Sequence, residues 1–253
     1  MKKYKLTEET IIVNGKTLYR IEALKDFGNV KKGDKGGFVE KENNLSQYGD
    51  SWVDDDATVF GNAQVCGNAR IYGNAIVRGN AQVYGHASVR DNAEVYGHAD
   101  ICGDAQVYDE AKVYDYAEVY DNAGVYHNAQ VYGNAKVFEN AEVSFDAKVY
   151  DDAKVYEYAM VQGNAKVYGN AEIRTNACIY GDAVIDSIGD YIVFKNFWSS
   201  GRSFTWTRSN DMWKAGCFYG TGEELIKKAY KDSEISGREY ERIVKYVETI
   251  KGK

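Results

Sequence analysis

The apolar positions of this chain follow one dominant period. Alanine stands at every sixth position from Ala57 to Ala183, and Val or Ile at every sixth position from Val53 to Ile185. The run holds 22 alanines and 23 β-branched residues without a miss. A helix turns every 3.6 residues and would scatter a six-residue pattern around its circumference, whereas a strand repeats at two and keeps Ala(n) and Val(n+2) on one face. Each hexad therefore reads as a short strand plus a corner. In residues 135–140, Ala135 and Val137 point inward, Lys136 and Phe138 point outward, and Glu139 with Asn140 turns the chain. A hexad cannot bury its apolar side alone, so hexads must coil and stack, with three strands to an 18-residue turn.

The period divides the chain into residues 1–45, 46–186 and 187–253. The middle part makes about seven to eight coils, a prism roughly 35–40 Å long at ~4.8 Å per coil. Each buried Val or Ile contributes roughly 1.5–3 kcal/mol before the entropy of ordering is subtracted. At the corners, the residue before each Ala is Asn twelve times, with His86 and His98 among the other occupants. Asn and His tolerate left-handed backbone angles, so this position is expected to carry them. Gly or Asp usually precedes it, as in Gly133-Asn134 and Asp121-Asn122, which suits a tight turn.

With an aliphatic residue first and a small residue fifth in each hexad, as in Val131-Tyr132-Gly133-Asn134-Ala135-Lys136, the chain resembles the hexapeptide-repeat proteins. That superfamily includes many acyltransferases and the γ-class carbonic anhydrases. The resemblance covers about residues 46–186 and implies a mainly β fold, a left-handed parallel β-helix. The chain departs from the family pattern at the second position, usually Tyr here.

The two ends differ from the rod. Residues 10–24 read as a hairpin around Asn14-Gly15, a strong two-residue turn signal. With the following glycines it forms a cap that resembles the lead-in of phage and prophage hexapeptide-repeat proteins of unassigned role. Beyond Asp186, residues 191–198, 203–208 and 212–219 read as strands. Two amphipathic helices follow, one starting at Thr221 or Gly222 and one near Ser236, giving a small α+β module.

Charge is uneven. Residues 46–186 carry 9 Lys and Arg against 22 Asp and Glu, while each end is net positive. Acidic corners keep an edge-rich rod soluble and argue against direct nucleic-acid binding by the rod. They also offer a carboxylate column to a cationic protein partner, in imitation of nucleic acid. No apolar run is long enough to span a membrane and no signal-peptide core is evident, so a cytoplasmic protein is expected. Cys66 and Cys102 lie two coils apart, too far for a disulfide, so the thiols are expected to be reduced.

Outward positions 18 apart stack on one side of the prism. Tyr96, Tyr114, Tyr132, Tyr150 and Tyr168 then form an aromatic column, either a rigidifying stack or a flat binding face. A second copy of the chain is the simplest occupant, and the resemblance implies a trimer. In the C-terminal part, Trp198, Arg202, Trp206, Arg208, Trp213 and Lys214 suggest an aromatic and basic site for an anionic ligand.

Catalysis has weaker support. Family acyltransferases use a His as general base, and His127, at the Gly/Asp position of its corner, is the candidate, with acetyl-CoA as the implied cofactor. No loop interrupts the hexads to shape an acceptor pocket. A zinc site of the γ-class type would use His86 and His127, but the third ligand position is Asn122, so no metal is expected. The expectation is a non-catalytic protein that presents surfaces and serves a phage or prophage by engaging a host component.

Overall fold

The computed structural model describes residues 2–251. The hexads form 23 two-residue strands, from β4 (Trp52–Val53) to β26 (Val184–Ile185). Each strand pairs in parallel with the strand 18 residues on, so Ser88 lies opposite Gln106 and Val89 opposite Val107. Every third strand therefore joins the same sheet, and three parallel sheets form the sides of a prism. The rungs from Val53 to Ile185 and the alanines between them are at most 1% exposed. This is the three-sided parallel β-helix expected, of about eight turns.

The corners correct one expectation. The left-handed residue is not the Asn but the one before it: φ is +70° at Gly133, +56° at Asp121 and +56° at His127. Among the described residues the only Asn with positive φ is Asn14, in the hairpin turn. The corner asparagines instead form side-chain ladders along the prism edges. Asn74 donates to Asn92 at 3.1 Å, and Asn92 donates to Glu110 at 2.8 Å. Asp replaces Gly at the left-handed position for a second reason, since its carboxylate accepts the backbone N–H one coil on. Asp55 accepts from Gly73 at 2.9 Å and Asp109 from His127 at 3.1 Å. Asp91, Asp115, Asp121 and Asp151 do the same at 3.2–3.4 Å. Much of the rod's acidity therefore has a structural origin at the corners.

The first open end is capped by β1 (Tyr4–Val13), β2 (Lys16–Ala23) and β3 (Lys35–Val39). The hairpin turn is Asn14-Gly15, both at positive φ, which matches the right-handed twist of paired strands. Its arms reach further back than residue 10, because Tyr4 is fully buried and its hydroxyl donates to the carbonyls of Glu42 and Leu45. β3 then pairs in parallel with Thr58–Val59, making the cap continuous with one side of the prism. Lys3 is buried with it, donating to the Ser51 carbonyl at 2.8 Å and lying 5.1 Å from the Phe27 ring centre.

At the other end, β27 (Tyr191–Lys195), β28 (Ser203–Thr207), β29 (Met212–Ala215) and β30 (Phe218–Gly220) form an antiparallel sheet. The first of these is shorter than expected, and Phe197 and Trp198 lie in the following turn. Two helices cover the sheet, α1 (Gly222–Asp232) and α2 (Glu234–Ile250). Thr221 and Glu224 close a capping box on α1. Ser233 caps α2, so that helix starts two residues before Ser236. No helix among the described residues is long and apolar enough to cross a membrane.

Val131→Ala should lower unfolding free energy by about 2 kcal/mol in urea titrations, because the rung is fully buried and a cavity remains. Val184→Ala, at a 37% exposed outward position, should change it by less than about 0.5 kcal/mol. Burial pushes the Lys3 ammonium down to about 8 from its ordinary 10.5. Between those values the unfolded chain holds a proton that the folded chain has released, so this residue makes stability rise with pH across that window. Urea titrations of the wild type and Lys3→Met across that range check it: the rise should shrink in the variant.

Candidate functional site

The five expected tyrosines do form one column. Ring centres from Tyr96 to Tyr114, Tyr132, Tyr150 and Tyr168 are 4.8, 4.9, 5.0 and 5.2 Å apart, with planes within 8° of parallel. The 18-residue register dictates this, since each ring repeats at the inter-strand spacing. The Arg78 guanidinium closes one end, 4.1 Å from the Tyr96 ring centre. The rings are half-buried by one another. Their burial raises the Tyr96, Tyr132 and Tyr150 hydroxyls above the usual range and pushes Tyr114 up to about 12. Beside the column, on the same side, stand Glu94, Lys112, Gln130, Lys148 and Lys166, with Lys112 bonded to Glu94 at 2.8 Å.

The other sides carry shorter stacks. Tyr120, Phe138 and Tyr156 stack at 4.9 Å, and Cys102 separates them from Tyr84. Tyr108 and Tyr126 stack at 4.9 Å beneath Arg90, and Ser144 ends that run. The column from Tyr96 to Tyr168 is thus the longest aromatic surface among the described residues.

The three histidines are corner residues. His86 and His98 belong to the Asn ladders, 3.3 Å from Asn68 and 3.1 Å from Asn80. His98 also stacks on Tyr116. Their position has ordinary backbone angles, so the left-handed reason for finding them there does not hold; ladder bonding replaces it. His127 has the left-handed backbone instead. It is exposed, stacks on Phe145 at 4.6 Å and lies 4.0 Å from the Asp109 carboxylate. His86 and His127 sit on different edges of the prism. Among the described residues no group of three or more His, Cys, Asp or Glu side chains is placed to hold a metal ion.

The C-terminal aromatic and basic residues are not gathered into one site, although the Arg208 guanidinium lies 5.9 Å from the Trp206 ring centre. Side chains alternate across a strand, so neighbours face opposite ways. Trp206 and Trp213 enter the core beneath the helices with Phe204, at most 2% exposed, and Trp198 packs against the same cluster. Lys214, next to Trp213, faces the rod with its ammonium 4.5 Å from the Tyr180 ring centre. Arg208 reaches the Gly189 and Lys251 carbonyls. Only Arg202 and Lys214 of the six share a cleft. The outward-pointing Cys178 is covered by β28, where Thr205 accepts its backbone N–H at 2.9 Å. The four cysteines are free. Sequence reasoning missed Lys3 and the aspartate ladders; the recurrence of Asp two residues before Ala was the available signal for the latter.

Comparison with known families supports a β-solenoid. A family model described as YdcK Beta solenoid repeat matches residues 63–79, a segment about one coil long. No curated protein matches the chain.

The tyrosines should respond together to alkali. The folded values of Tyr96, Tyr114, Tyr132 and Tyr150 lie above the ordinary 10.0, so the stability they contribute is complete below pH 10.0 and is lost as pH rises through those values, about 12 for Tyr114. Near-ultraviolet absorbance should show ionisation of the native rod well above that of the urea-unfolded chain. Coincident titrations would exclude a packed column.

Proposed function

We propose that this chain is a non-catalytic scaffold whose β-helix presents the Tyr96 to Tyr168 face to a second copy of itself, in a homo-oligomer. The reading rests on the flat, half-buried column of five parallel rings. Tyr combines large apolar area with few rotatable bonds and is favoured in interface cores. Rings already held by their neighbours lose little freedom on association. The same face offers Lys148 and Lys166, while its bordering corner offers Asp115 and Asp151. Two copies related by a symmetry axis can therefore match cation to carboxylate around an aromatic centre. Prism-side packing of three copies, implied by the hexapeptide-repeat resemblance, is the assembly we propose.

Light scattering of the purified chain should give a trimer mass. Combined Tyr114→Ser, Tyr132→Ser and Tyr150→Ser replacement should give a monomer with an unchanged β-sheet circular dichroism spectrum. Lys148→Glu, which leaves the stack intact, should weaken association by about tenfold. A wild-type chain that stays monomeric at micromolar concentration would overturn the reading.

A further inference from the structure

The rod-facing side of the C-terminal sheet meets the last coils across a cleft of about 550 Å³. Strand alternation sets its lining. Lys195 and Ser203 are directly paired across β27 and β28, and Lys214 pairs with Thr205, which contacts the rod. The sheet therefore turns two ammonium groups and a hydroxyl toward the coils. Arg202 adds a guanidinium from a closed loop, in which Asn196 N–H donates to the Arg202 carbonyl at 2.9 Å and Gly201 N–H to the Asn196 carbonyl at 2.7 Å. The rod side supplies the neutral amides of Gln162 and Asn176.

No carboxylate lines this cleft. The ion pairs of the module run through Asp211, Glu234, Glu239, Glu241 and Glu248, and use none of the three cations. The Cys178 thiol on the floor is pushed up to about 11, first by burial, and so stays neutral at physiological pH. In a chain of net charge −7, three cations without a carboxylate partner line one cleft, Lys214 resting on the Tyr180 ring. A second hollow of about 170 Å³ shares Arg202, Ser203 and Gly216 with the first. Asn196 lines it, 8% exposed, with its amide nitrogen donating to the Tyr240 hydroxyl at 3.1 Å and its Oδ1 buried without a partner.

We propose that this cleft binds a small phosphate ester, its phosphate held by Lys195, Arg202 and Lys214 and its hydroxyl groups bonded by the amides of Gln162 and Asn176. Arg forks onto two phosphate oxygens while the lysines act as point charges, and the neutral amides and Ser203 hydroxyl complete the polar shell. The site lies apart from the tyrosine face and does not depend on the oligomer.

Calorimetric titration of the full chain at low salt tests it with inorganic phosphate, glycerol 3-phosphate, glycerol and citrate. Glycerol 3-phosphate should bind more tightly than inorganic phosphate, and glycerol should not bind. Arg202→Gln and Lys195→Gln, both at exposed positions, should each weaken glycerol 3-phosphate by at least about tenfold. Added salt should weaken it further. Absence of binding at millimolar concentration, wild-type affinity in both variants, or tighter binding of citrate would overturn the assignment.

Discussion

Everything in this molecule depends on the register that sets residue n beside residue n+18. Backbone N–H groups find carbonyls in the next coil, as when Gln106 N–H donates to Ala123 O and Tyr108 N–H to Val125 O, at 2.9 and 3.1 Å. Polar backbone is thereby satisfied along the strands while Ala and Val close the interior. The small Ala lies just after each corner, where two sides meet, and the larger Val or Ile fills the space between the three sides. A one-residue slip would turn every rung outward, so the buried pattern locks the register.

The same register makes the exterior a set of ladders. Identical positions on successive coils are forced to inter-strand distance, so aromatic rings become stacks, asparagines become amide chains, and corner aspartates become acceptors for the next coil. Glu118 and Lys136 show the electrostatic version, 2.8 Å apart across one coil. Exposed pairs of this kind contribute little singly. Glu94 and Lys112 repeat the pairing at 2.8 Å on the side where the Tyr96 to Tyr168 column stands. Rigidity and a flat aromatic surface thus arise from one cause, and that combination favours a scaffold.

The two ends solve a different problem, the open edges of a stacked sheet. The N-terminal cap extends one prism side with β3 and buries Trp52 against Tyr4 and Phe27. The C-terminal sheet instead leans on the last coils through Thr205 and Tyr191, whose hydroxyl donates to Glu172 O. It seals imperfectly, and the gap it leaves is where the cations of β27 and β29 meet the rod.

Repetition made the rod legible from the residues alone: period, strand positions, coil length and aromatic column all follow from where Ala57, Val59 and their successors stand. The hairpin at Asn14-Gly15 and the cap at Thr221 were equally local. The corner is ambiguous in sequence, because both residues of each turn tolerate left-handed angles, and only the folded chain places the positive φ on the residue before the Asn. Tertiary structure alone decided the fate of the C-terminal side chains, since adjacency in sequence puts Trp213 and Lys214 on opposite faces of a strand. It also buried Lys3, a residue whose polarity suggests solvent, because Ser51 and Gly49 carbonyls that receive its ammonium lie more than forty residues away. Where each contact repeats its neighbour, local pattern suffices; where a surface forms from distant segments meeting once, only the folded arrangement determines it.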